Sequence, residues 1–498
     1  MWVRAIALGY LLLHLATAGR YGYFRDALYY LACSRHLAFG YVDQPPLIAL
    51  LGWIASHTLG TSLPALIFWP ALAGALRILL VARFAERLGA GGFGTALAAV
   101  LAATPAVSWV IDHQFAMNAW EPVFWLGCAY TVLRMIDTGN PRWWIVFGAI
   151  AGLGLENKYS IAFFALALIV GLLITPQRRV LFTPWVFAGA GVALLIFLPN
   201  LVWNIQHQWP FLELMRNIRE SGKDVVLGPV AYLVQQMAMV NPLSLPFWLG
   251  GLGFVLFARS MRPYRAFGFA FIITIGLFLV MHGKDYYSAP VYGLVLAAGA
   301  VGTERLLGNR RVLQAACFVW FLVAIGLLLP LMLPVLSLDA FVQYQAHLPL
   351  QPAKTEKSFE GAVLPQYYAD ELPWEPMVAA VAWVYQSLSP EERAKTAIFC
   401  ANYGEAAAVD FFGPKYGLPP AISGHQNYYL WGPRGYDGST VIVVGQRAEN
   451  ERKDFASVQE AAEVNVPYAL SYETRPVLLC RGLKWDLQSG WFHVKRWI

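Results

Sequence analysis

RYGYFRDALYYLACSRHLAFGYVDQPPLIALL, residues 20–51, follows a first apolar run and sets two carboxylates, Asp26 and Asp43, in a chain that otherwise avoids charge. Tyr29, Tyr30, Leu31, His36, Leu37 and Phe39 mix apolar bodies with polar tips. That mixture predicts helices lying in a water–lipid interface rather than crossing it. The double proline at Pro45–Pro46 stiffens the chain and opens the next helix, so Asp43 stands where an acid also serves as an N-cap. Two acids at such a surface need a chemical reason, and the flanking sequence supplies the setting.

Of 498 residues, 58% are hydrophobic and 13% charged, which is far from the quarter or so of charged residues in a soluble domain. The 19 Trp and 24 Tyr suit a protein with many helix ends at two interfaces. A net charge of +6 arises mainly from arginines in short loops, and no basic stripe lies outside them, so nucleic acid is excluded as a partner. Five cysteines show no metal-ligand spacing; Cys400 and Cys480 both fall in the C-terminal part and could pair if that part is extracytoplasmic.

Apolar stretches of about 20 residues are needed to cross a bilayer. They occur near 2–19, 63–85, 91–111, 116–136, 143–158, 160–176, 182–203, 242–258, 264–281, 288–307 and 312–335, which predicts about eleven spans. The first resembles a secretory signal but is expected to be retained, because the block after it works only if anchored. With the N-terminus cytoplasmic, every inside connection carries at least two arginines, from Arg83 and Arg87 to Arg305, Arg310 and Arg311. The opposite connection Asp112–Asn118 has none, so positive charge fixes the orientation and leaves the C-terminus outside. Residues 1–335 are thus expected to form a transmembrane domain with interfacial segments 20–62 and 204–241. Residues 336–498 are expected to form an extracytoplasmic α/β domain, with a strand, loop and helix over 394–413 and buried strands at 439–446 and 475–483.

Asp26 in the first outside loop fits a general base, which takes a proton from an attacking hydroxyl or amine as a new bond forms. The plainer role is a surface carboxylate paired with Arg25. Asp43 fits an acid that orients the acceptor or holds a divalent cation. Tyr29, Tyr30, His113, Asn118 and Glu121 are expected to line the cavity. Glu121 lies about a turn inside an apolar run, where an ionisable group is costly and marks a site, although an acid at a helix N-terminus also suits the dipole. His113 is a metal ligand only if partners exist; otherwise it is a hydrogen-bonded surface residue. Lys158, Lys284 and Tyr287 sit at outer helix ends. The lysines either snorkel or neutralise a phosphate that gains charge as it leaves. No Gly-rich phosphate loop is present.

Together the segments RDALYYLACSRHL, GYVDQPPL, NAWEPVFWL, GLGLENKYS and HGKDYYSAPVYGL, in this order over residues 1–310, resemble the C superfamily of membrane glycosyltransferases. Within it they resemble the bacterial protein-mannosyltransferase and aminoarabinose-transferase-like (Rgt-like) branch. The resemblance implies a catalytic acid at Asp26, a second at Asp43, and lipid-phosphate contacts at Lys158 and Lys284. Ala27 stands where the common pattern has an acid, and Gln44 where many relatives have a base. The tail's Tyr403, Glu405, His425 and Tyr428–Trp431 are of types that stack on and hydrogen-bond to sugars, or that pack the domain.

The expected fold class is therefore a polytopic α-helical membrane protein of glycosyltransferase C type with an extracytoplasmic α/β domain. The expected function is transfer of a sugar from a polyprenyl-phosphate donor to a lipid, glycan or protein acceptor on the periplasmic face of the bacterial inner membrane. Its partners are that donor, that acceptor and membrane lipids. A divalent cation is the one cofactor the acids leave open. The rival readings are a transporter or lipid flippase, whose repeated halves this chain lacks, and a non-catalytic scaffold.

Overall fold

In a computed structural model the structure describes residues 1–223, 225–348, 356–357 and 362–498. The chain divides into two compact units: residues 1–20, 59–202 and 226–349 form the first, and 21–58, 203–225 and 350–498 the second.

The first unit is helical, and its helices follow the apolar runs. Trp2–Thr17 packs on Leu63–Arg87, Glu121–Thr138 on Trp143–Asn157, Ile161–Leu173 on Arg265–Val280, and Leu245–Phe257 on Tyr292–Leu307. The last pair meets backbone to backbone. A Cβ on Gly251 would overlap the Val295 carbonyl oxygen, and one on Gly299 the Phe247 carbonyl oxygen. Small residues at a crossing allow this approach where lipid offers no hydrophobic drive between helices. Glu121–Thr138 starts with Pro122 in its first turn and ends on Gly139 at φ 65°, the left-handed cap that a glycine supplies without strain.

Among the described residues four helices are long and apolar enough to cross a membrane: Leu63–Arg87, Pro184–Gln206, Arg259–Val280 and Arg311–Met332. Counting the bent pair Pro229–Met239 and Pro242–Phe257 as one span gives five. Trp2–Thr17, Gly92–Ala103 and Ile161–Leu173 are apolar but shorter. The stretch read as one span over 91–111 is two helices, Gly92–Ala103 and Ala106–Ile111. Pro105 has no N–H for a helical bond and disfavours the helical conformation of Thr104 before it, which breaks the run.

The second unit holds a four-stranded sheet, β1 (Thr396–Cys400), β2 (Thr440–Val444), β3 (Phe455–Ala462) and β4 (Val477–Leu483), in the order β1-β2-β4-β3. β1 and β2 are parallel, and the other pairs are antiparallel. Helix Tyr403–Phe412 follows β1 through a capping box. The Asn402 side chain accepts from the N–H groups of Gly404 (2.8 Å) and Glu405 (3.0 Å), while Glu405 accepts from the Asn402 N–H at 3.1 Å. Residues 21–58 belong to this unit, and their helix Arg25–Ser34 packs along Tyr403–Phe412. Helices Leu47–Thr58 and Pro210–Ser221 also belong to this unit.

Cys400 and Cys480 are free. Cys400 pairs with Val444 and Cys480 with Val441, on opposite sides of β2. Two strand spacings of about 4.8 Å put their Cα atoms beyond the ~7 Å that a disulfide tolerates.

The C-terminal residues close on the sheet through Gly424, where the Arg496 N–H donates to the glycine carbonyl at 2.8 Å. A Cβ at Gly424 would overlap the Val494 carbonyl oxygen. Gly424→Ala is expected to destabilise this unit by about 3 kcal/mol, the upper range for overpacking. Melting of the detergent-purified protein checks it, and an unshifted transition would contradict this packing.

Candidate active site

In the second unit the two predicted acids are brought together by tyrosines. Asp26 lies in the first turn of Arg25–Ser34, where the helix dipole favours an anion. Its Oδ1 accepts from the Tyr403 hydroxyl at 2.7 Å, and its side chain is 29% exposed. One turn on, the Tyr29 hydroxyl donates to Asp43 Oδ1 at 2.9 Å. The Tyr29 and Tyr403 rings lie 4.5 Å apart, so each acid is held by one member of an aromatic pair. Tyr30 is buried beside them. The chain at Val42 is fixed by its N–H donating to the Asn427 side chain at 2.7 Å. His425 stacks on Tyr403 at 5.0 Å, accepts from the Tyr403 N–H through Nδ1 at 3.1 Å, and is kept neutral by burial with Arg496 nearby.

Burial raises the Asp43 carboxyl to about 7 against the pull of the Tyr29 hydroxyl, and Asp26 adds to the rise. Its ordinary value is 3.8, so between there and about 7 the folded protein binds more protons here than the unfolded chain. Stability from this group is full below the lower value and is lost as pH climbs to the upper one. Asp43→Asn is expected to remove part of the fall in melting temperature between about pH 4 and 7. A variant with the wild-type slope would show that another group titrates there.

Some tail residues serve packing. Glu405 is buried in its capping box, and the Tyr428 hydroxyl donates to Asp410 Oδ2 at 2.9 Å. Gln44 is fully buried and donates to Cys33 Sγ at 3.6 Å. Among the described residues no group of three or more His, Cys, Asp or Glu side chains is placed to hold a metal.

In the first unit Lys158 ends helix Trp143–Asn157 as its C-cap. Its Nζ donates to Asn118 Oδ1 at 2.8 Å, pairs with Glu121 Oε2 at 3.1 Å, and lies 4.3 Å above the Tyr287 ring and 5.9 Å from that of Tyr286. Ser160 donates to the other Glu121 oxygen. Three predicted residues, Asn118, Glu121 and Tyr287, thus cage the ammonium of a fourth, Lys158. Lys284 immediately precedes the 3₁₀ turn Asp285–Val291 that carries both tyrosines.

His113 is not in that cage. Its Nδ1 faces His14 Nδ1 at 3.2 Å, beside Asp112, which takes the Tyr10 hydroxyl at 2.8 Å and Arg77 at 2.9 Å. Arg77, Tyr10 and His14 were missed as polar partners, although an arginine and a histidine within apolar spans are themselves a signal. A cavity of about 30 Å³ between Asp112, Arg77, Asn118, Glu121 and Tyr286 has room for water alone.

A model of the family described as dolichyl-phosphate-mannose-protein mannosyltransferase matches residues 43–203. Lipid A galacturonosyltransferase RgtD of Rhizobium johnstonii is 26% identical over 229 residues, 44% of this chain. The chain spans about half of that relative, 47% of its length. The crystal structure of ArnT from Cupriavidus metallidurans bound to undecaprenyl phosphate superimposes with a TM-score of 0.62 at 16% identity, covering 96% of this chain and 97% of the other. Its apo form gives 0.61 at 15%. The chain shares its fold with ArnT. The residues 43–203 matched by the family model include Asp43, Asn118, Glu121 and Lys158, while Asp26 lies ahead of them.

Proposed function

We propose that the protein is an integral-membrane glycosyltransferase. It moves a sugar from a polyprenyl-phosphate donor to a lipid, glycan or protein acceptor on the periplasmic face of the bacterial inner membrane. Its 336–498 domain lies in the periplasm. The observation that carries this reading is the Asp26 carboxylate. It is part-exposed, held by the Tyr403 hydroxyl at 2.7 Å, and set in a helix first turn within a fold shared with ArnT.

Asp26 takes the proton of the acceptor as its oxygen or nitrogen attacks the anomeric carbon. The bond from that carbon to the phosphate oxygen breaks, and polyprenyl phosphate leaves with its charge increased. Lys158, with Tyr287 and Lys284, meets that charge; a preorganised cation in a water-poor setting is worth far more than one in water. Glu121 and Asn118 fix where the ammonium points. Asp43 orients the acceptor, its carboxyl titrating near neutrality. The ArnT structure holds undecaprenyl phosphate and RgtD is a lipid A galacturonosyltransferase, which supports a polyprenyl donor and, among the acceptors, a glycolipid. The fold and family relationship speak against a transporter or flippase.

Mass spectrometry of envelope glycolipids and glycans, with and without the protein, tests this reading. One or more species differing by a single sugar are expected to vanish on deletion and return on complementation. Identical profiles would count against it.

A further inference from the structure

Arg25 is shared between two carboxylates of the second unit. Its Nε lies 3.8 Å from Asp26 Oδ1, and its Nη2 lies 3.4 Å from Asp370 Oδ2. Nη1 donates to the Tyr472 hydroxyl at 3.4 Å, and the guanidinium sits 5.6 Å from the Tyr403 ring centre. Asp370 is fully buried, whereas Asp26 reaches solvent. We propose that Asp370 is a positioning residue for Asp26: it shares the Arg25 guanidinium with the Asp26 carboxylate, so that Arg25 does not close on Asp26 alone and the carboxylate stays open to the acceptor's proton. The inference rests on the assignment of Asp26 as general base.

The physical argument is one of competition. A cation beside a carboxylate favours its ionised form and weakens it as a base. Left alone, Arg25 would close on its sequence neighbour Asp26. A buried anion on the far side gives the guanidinium a deeper well, because a pair away from water is less screened. Other charged and titratable groups around Arg25 and Asp26 are Tyr30 on the same helix, Tyr403 on the packed helix, Tyr472 and Glu473 on the segment before β4, and Glu356 and Asp43. Burial raises both the Asp370 and Glu473 carboxyls. Arg25 pulls Asp370 back down, while Asp370 adds to the rise at Glu473.

Opposite substitutions should move the same titration in opposite directions. The experiment is the pH dependence of kcat/KM for the full-length protein with a polyprenyl-phosphate sugar donor. The set is wild type, Asp370→Asn, Arg25→Gln and the double variant, each checked for folding by size exclusion and melting. In Asp370→Asn, Arg25 is released toward Asp26, so the acid limb is expected to move down by about one pH unit and the plateau to drop about tenfold. In Arg25→Gln the limb should move up. The double variant leaves no unmatched buried charge, so it should fold and its limb should return close to wild type. An active wild type whose acid limb is unmoved by Asp370→Asn, with the variant folded, would overturn the inference alone. Absence of transfer by wild type from every lipid-linked donor would overturn the function reading beneath it.

Discussion

Asp26→Asn is expected to lower sugar transfer about a thousand-fold, within the range a positioned general base supplies. The fold should survive. Asn keeps an oxygen to accept from the Tyr403 hydroxyl and keeps the first-turn position, so only the basic electron pair is lost. Arg25 loses one of its two carboxylate neighbours but retains Asp370 as its partner. Donor binding, measured by retention of a labelled polyprenyl phosphate, should be unchanged because Lys158 and its cage are untouched. Near wild-type turnover in purified Asp26→Asn protein would remove Asp26 from the mechanism.

Lys158→Met is expected to lower kcat by about a hundred-fold or more, the scale of losing one preorganised group at a developing charge. This substitution alone also leaves Glu121, 4% exposed, without its cation, and an unpaired buried carboxylate is strongly destabilising. The pair Lys158→Met with Glu121→Gln separates the two effects. Ser160 can still donate to a glutamine oxygen, so the double variant is expected to recover wild-type melting while transfer stays low. Recovery of transfer along with stability would mean that the Lys158–Glu121 pair serves the fold and not the phosphate.

Much of the architecture is written locally. Helix Leu63–Arg87 and helix Arg311–Met332 match their apolar runs because a bilayer-length apolar stretch has few other stable forms. β1, β2 and β4 were legible as short apolar runs. β3 was not: among the described residues Phe455–Ala462 is an edge strand paired with β4 alone, and Ser457, Gln459 and Glu460 interrupt the apolar run that marks a central strand. Nor did anything local show that residues 21–58 pack with the tail. That union depends on contacts such as Arg25 to Asp370 and Tyr403 to Asp26, which leave no periodic trace. The site divides the same way. Asp26, Asp43, Glu121 and Lys158 stood out because charge is rare in this chain. Asp370 stood among other charges after residue 336, so nothing in the sequence marked it as the partner of Arg25.

Reconstitution of the purified protein with a polyprenyl-phosphate-linked sugar and envelope acceptors, followed by mass spectrometry, tests the central claim most directly. The account predicts acceptor heavier by one sugar and free polyprenyl phosphate in equal amounts, formed by wild type and nearly abolished by Asp26→Asn. Folded wild-type protein that yields neither product, or an Asp26→Asn variant that yields both at the wild-type rate, would contradict it.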